Sequence, residues 1–314
     1  MKTNKVLETT RKVIEKSKHV SIDLDRAREF AHNLSNKDIT PWLAQCPIDL
    51  SELNEKDKIS FLFVFNSLSF CYWGNPKWAV NYHNKDYDRG TWSMIAALKR
   101  AIEEGIPILD SGYLSKMNLR DLESILRANT QIPLIKKRLA SLNQLGRVTI
   151  NKYNGSFRNI ISSSDNNAVN LTDKITNDFD LFRDYTFYNG KKVYFNKRAQ
   201  LLASDIARVD PVVKDSDKLT ACADYKLPLI LREHDILKYD IRLRNKVDND
   251  IELSSDSEEV TEIRANTIWA VEAIKDELRK KMPEITSIGI NDYLWLNAGE
   301  ISKTSYFKTR TSAF

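Results

Sequence analysis

The stretch ISFLFVFNSLSFCYW, residues 59–73, decides the fold class. Its phenylalanines and Val64 would suit a strand. The run is too long for an ordinary strand, however, and only Asn66 and serines interrupt it, so it reads as a buried helix. On its C-terminal side, KWAVNYHNKDY (77–87) alternates Trp78, Val80 and Tyr82 before a turn-like His83–Asn84–Lys85–Asp86, the pattern of a hairpin. A helix should follow, with Thr91 as its cap and Met94, Ile95, Leu98 and Ile102 on one face; Gly105 and Pro107 end it. Asn118 should cap the next, with Leu119, Leu122, Ile125 and Leu126 facing inward. Upstream, Val6, Val13 and Ile14, then Ile22, Ala27, Phe30, Ala31 and Leu34, keep helical spacings.

The C-terminal half repeats these signals. NGSF (154–157) and Asn189–Gly190 mark turns, the second followed by the strand-like residues 192–195. Helices are expected at 199–207 and 260–281, where Val260, Ile263, Val271, Ile274 and Leu278 form a stripe that Pro283 stops. The acidic VDNDIELSSDSEE (247–259) reads as an exposed loop entering that helix, whose N-terminus favours negative charge. Only 9 Gly and 8 Pro punctuate 314 residues, which favours long helices over many tight turns. With no repeat and no composition break, the expected architecture is one domain over residues 1–314, mainly α, with small β-hairpin insertions.

Composition narrows the function. A formal charge of +5 suits an anionic ligand but is modest for a nucleic-acid binder. Basic groups such as Lys136–Lys137–Arg138 and Arg279–Lys280–Lys281 read as solvated helix faces or ends. Cys46, Cys71 and Cys222 form no CxxC pair, and the four histidines show no HExxH spacing, so neither a zinc site nor a disulfide framework is supported. No apolar run approaches a membrane span and the first residues lack a secretory core, so a cytoplasmic protein is expected. Phosphate-loop, dinucleotide-binding and nucleophile-elbow motifs are missing.

Three groups of ionisable residues set among apolar ones remain. Lys197–Arg198 opens a helix, which is unfavourable for cations unless an anion lies near; the plainer reading is a surface pair. Asp224, in LTACADYKLP (219–228), is a carboxylate in partial burial, with Lys226, Lys197 or Arg198 as possible partners; it serves catalysis, a structural ion pair or a helix cap. In IGINDYLW (288–295), Asp292, Tyr293 and Trp295 mix an acid with stacking surfaces; the plainer reading is core plus one exposed charge.

NSLSFCYWG (66–74), WSMIAALKRAIEEGIPI (92–108), NGSFRNII (154–161), FNKRAQLLASD (195–205), ADYKLP (223–228) and DYLW (292–295) resemble, in this order and nearly the whole length, the queuosine salvage protein family. The resemblance implies an N-glycosylase that hydrolyses queuosine 5′-phosphate to release its 7-deazaguanine base, and a helical fold similar to helix-hairpin-helix DNA glycosylases. It implies a small nucleotide substrate, no cofactor, no metal, no membrane and no stable nucleic-acid partner. Asp224 matches the family's active-site aspartate and Lys197 the lysine of its Lys-Arg-Ala-Gln motif, in a supporting catalytic role. Cys222, Tyr225, Lys226, Arg198, Asn291, Asp292, Trp295 and Cys46 are the expected substrate-binding residues. Cys222 stands where many members carry phenylalanine, and Asn291 and Leu296 where members show aspartate, with Asp292 offset by one. Cys46 stands at the place of a histidine. These departures imply an altered base pocket, or a nucleotide- or nucleic-acid-binding relative with changed catalysis.

Overall fold

The structure, a computed structural model, describes residues 4–298 and 304–314. The helices are α1 (Lys5–Ile14), α2 (Leu24–Asn33), α3 (Glu55–Leu68), α4 (Gly90–Glu103), α5 (Ser111–Lys116), α6 (Leu119–Ile125), α7 (Ile135–Tyr153), α8 (Phe157–Ser162), α9 (Ala168–Asp178), α10 (Lys197–Val209), α11 (Leu227–Glu233), α12 (Ile241–Asp248), α13 (Glu258–Leu278) and α14 (Ser287–Asn297). Six short strands form three antiparallel pairs: β1 (Val20–Ile22) with β6 (Leu237–Tyr239), β2 (Val80–Tyr82) with β3 (Lys85–Tyr87), and β4 (Tyr185–Tyr188) with β5 (Lys191–Tyr194). The protein is mainly helical.

The deciding stretch is helical as read. Every residue of α3 from Ile59 to Leu68 is buried. Its polar members are satisfied locally: Ser60, Asn66 and Ser67 donate to carbonyls one turn back, of Lys56, Leu62 and Phe63. Asn54 caps its start by accepting from the Asp57 amide at 2.9 Å. Both expected hairpins form over two-residue turns, His83–Asn84 and Asn189–Gly190, all four at positive φ.

Three expectations are corrected. Ile22 belongs to a strand, because Asp23 accepts from the amides of Asp25 and Arg26 and delays α2 to Leu24. Its pairing of Val20 with Tyr239 joins segments far apart in sequence, which no hairpin signal announces. Arg138 is not solvated but fully buried. Thr91 does not cap α4: the cap position is Arg89, which makes no side-chain capping bond, and Thr91 lies inside the first turn.

The buried side chains form two clusters. One gathers around α3, α4 and α7, the other around α13, α1 and α2. Trp295 of α14 packs against both, and a well-formed cavity opens on this seam.

Candidate active site

The cavity has an empty volume of about 600 Å3, its open mouth included, within the range usual for small-molecule sites. Trp42, Phe65 and Trp295 supply its aromatic walls, while Lys197, Asp224 and Asp292 bring charge. Residues 69–72, Cys222, Tyr225 and Asn291 complete much of the lining. Seven of the ten residues expected from sequence thus meet here.

Asp224 is buried. Its Oδ1 accepts from the amides of Lys226 (2.7 Å) and Leu227 (3.3 Å), which fixes the carboxylate in the turn that starts α11. Its Oδ2 accepts no hydrogen bond among the described residues. A carboxylate held by one oxygen leaves the other for a ligand.

Lys197 is also buried, and its ammonium has neither hydrogen bond nor ion pair among the described residues. The anion that its helix start requires is Asp184, whose Oδ2 accepts from the Lys197 backbone amide at 2.9 Å. Asp184 in turn takes a bidentate pair from Arg264, both contacts 2.7 Å, and Arg264 Nε donates to the Ala223 carbonyl at 3.0 Å. One buried ion pair therefore fixes both the start of α10 and the residue preceding Asp224. The Arg264 guanidinium lies between the rings of Phe195 and Phe314, about 4 Å from each centroid. Neither Asp184 nor Arg264 was anticipated. An arginine interrupting the apolar stripe of α13 was the available signal.

Arg198 does not line the cavity. Its guanidinium is fully buried and donates to the carbonyls of Asn66, Ser67 and Leu181, while Arg138 donates to those of Leu68, Phe70 and Cys71. Together they take up the C-terminal carbonyls of α3 and hold the wall segment that follows. Burial pulls both guanidinium pKa values down.

At the floor, Asn291 and Trp295 lie one turn apart on α14, with Asp292 beside them. Asp292 is not an exposed charge but fully buried. Its Oδ2 accepts from the Trp42 amide at 3.1 Å and pairs with Arg208, which also reaches Asp205. Asp205 accepts from Trp42 Nε1 at 2.9 Å. Burial pushes Asp205 up to about 7, opposed by Arg208, and raises Asp292 for the same reason. Two carboxyl groups share one guanidinium, so their protons come off as a coupled pair.

A family model described as queuosine salvage protein matches residues 50–313. The chain belongs to the queuosine salvage protein family. It is 34% identical to a protein of Sphaerobacter thermophilus named queuosine 5′-phosphate N-glycosylase/hydrolase, over 98% of this chain and 96% of that one. Proteins of the same name from Bos taurus (34% identical, 92% and 91% covered) and Mus musculus (33%, 93% and 92%) are similar over the same span.

Within this member of the queuosine salvage family, two of the noted departures are bonded neighbours. Asn291 Oδ1 accepts from the Cys222 amide at 2.9 Å, and its Nδ2 donates to Asp292 at 3.3 Å, so both ends of its amide are committed. Burial pushes the Cys222 thiol far up and keeps it neutral. Cys46 lies apart, in an open depression with Leu43, Pro47 and Leu62. Lys226 sits outside the cavity lining, its ammonium 5.3 Å from the Tyr306 ring centroid. Among the described residues no group of His, Cys, Asp and Glu gathers as metal ligands. Among the same residues no helix is long and apolar enough to cross a membrane.

Proposed function

We propose that the chain hydrolyses the N-glycosidic bond of queuosine 5′-phosphate and releases the free 7-deazaguanine base for salvage. The observation that carries this reading is Asp224: a buried carboxylate on the cavity wall, one oxygen pinned by two amides and the other uncommitted. The names of the relatives supply the substrate.

In the proposed reaction the bond from C1′ to the base nitrogen breaks, and its electron pair leaves with the base, which takes up a proton. The ribose gains oxocarbenium character. The free oxygen of Asp224 faces that charge and stabilises it, and water then adds to C1′ and gives up a proton. Asp224 needs no reorganisation for this, because its turn already fixes it. Lys197, held by the same Asp184–Arg264 pair, supports the site as a fixed cation. The rings of Trp42 and Trp295 offer stacking surface to the base, and Asp292 offers an acceptor for its amide and amino hydrogens.

With this reading go three coarser proposals. Residues 1–314 form one domain. Their helices follow the arrangement of helix-hairpin-helix DNA glycosylases, with a free nucleotide in place of a flipped-out base. The protein works in the cytoplasm without a stable nucleic-acid partner.

The test is incubation of the purified protein with queuosine 5′-phosphate, with free base quantified by mass spectrometry. Release of queuine supports the proposal. Tight binding without release would favour the catalytically altered relative, and release of a different base from a nucleotide panel would favour changed specificity.

A further inference from the structure

Residues 304–314 are tied down along their length by main-chain oxygens. The Ser305 carbonyl accepts from Arg232 at 2.9 Å, that of Lys308 from the Leu253 amide at 2.8 Å and that of Thr309 from Trp73 Nε1 at 3.3 Å. The Ala313 carbonyl accepts from Arg198 Nε at 3.4 Å, and the main-chain oxygen of Phe314 from the Cys71 amide at 3.3 Å. These bonds carry Phe314 to the cavity, where it is buried and forms part of the lining.

There the Phe314 ring meets the guanidinium of Arg264, whose central carbon lies 3.9 Å from its centroid and 4.0 Å from that of Phe195. Arg264 spends its N–H groups in its own plane, Nε on the Ala223 carbonyl and both terminal nitrogens on Asp184. Such bonding leaves the faces of the cation open, and aromatic rings are suited to cover them. Arg264 is 4% exposed and is not among the described residues that line the cavity, whereas Phe314 is. Phe314 thus stands between the guanidinium and the ligand space. It keeps water off an ion pair whose strength depends on dry surroundings.

That ion pair holds the reacting groups in place. Asp184 accepts from the Lys197 amide, and the Ala223 carbonyl belongs to the peptide that leads into Asp224. We propose that Phe314 is a positioning residue for Asp224, acting through Arg264 and the Ala223 carbonyl. The inference rests on the reading of Asp224 as the carboxylate that faces C1′. A space-filling role would need only volume, which an aliphatic side chain supplies. A ring adds the negative face that attracts a guanidinium, and this difference makes the two roles separable.

The experiment compares Phe314→Ala, Phe314→Leu and Phe314→Tyr in the full chain, with base release from queuosine 5′-phosphate and amide hydrogen exchange as readouts. Phe314→Ala and Phe314→Leu should each lower kcat about tenfold or more with KM nearly unchanged, while Phe314→Tyr retains the wild-type kcat. The amides of Lys226 and Leu227, which donate to Asp224 Oδ1, should exchange about tenfold faster in the first two variants, with those of α7 unchanged. An unchanged kcat in folded Phe314→Ala overturns the proposal, as does a rise in KM alone. Rescue by leucine equal to that by tyrosine reduces Phe314 to filler and also overturns it. Should circular dichroism show Phe314→Ala unfolded, the leucine and tyrosine variants decide by the same criterion. No base release from the wild type sinks the proposed function and leaves the exchange measurement to decide the positioning role. Unchanged exchange at Lys226 and Leu227, or an equal rise in α7, then overturns it.

Discussion

The turn that carries Asp224 and the turn of α14 that carries Asp292 each bring a buried carboxylate to one cavity, but they hold it by different means. Asp224 is held by backbone amides, which constrain one oxygen and leave the other free. Asp292 is held by a guanidinium, the Trp42 amide and the Asn291 side chain, and burial raises its pKa. In the proposed reaction the first arrangement leaves an oxygen free for the developing cation. The second gives the carboxyl group a fixed orientation, which in the proposed reaction suits recognition of a polar ring edge. Identical side chains thus acquire separate tasks from their partners.

Three substitutions break or sharpen this contrast. The largest effect is expected from Asp224→Asn. The amide oxygen can still accept from Lys226 and Leu227, so the fold should survive, while base release falls by about 10³-fold or more. Near-wild-type turnover in a folded variant would remove Asp224 from the chemistry. Next, Arg208→Met should leave Asp205 and Asp292 without their shared cation and destabilise the protein by about 3 kcal/mol in urea unfolding. An unchanged unfolding midpoint would mean that the pair does not depend on Arg208.

The smallest effect is one of pH. Asp205 is raised to about 7, so the folded state binds a proton that the unfolded chain releases near pH 4. Stability should therefore fall as pH rises from about 4 to about 7 and change no further above that. Asp205→Asn should abolish this slope, so that the two pH-dependence curves diverge across that window. Parallel curves for the two proteins would show Asp205 ionised throughout.

Much of the fold was legible because its signals are local. The apolar run of α3, the cap at Asn118 and the Asn189–Gly190 turn each act within a few residues. The Asp224 motif stood out for a similar reason, a charge among small and apolar neighbours. What escaped was non-local. Arg138, in a run of three basic residues, looks solvated until carbonyls from another segment surround it. Asp184 and Arg264 meet across 80 residues of chain. Thr91 has the chemistry of a cap, yet the helix already begins one residue before it, at Gly90.

The grip of Arg138 and Arg198 on residues 66–71 is a grip on carbonyl oxygens, and every amino acid offers the same carbonyl. That wall of the cavity is therefore anchored largely through its backbone, while Ser69 and Cys71 line the ligand space. Its path can stay constant while its relief is recut. For anyone wishing to admit a larger or smaller base, these two positions are where shape can be changed with the scaffold left in place.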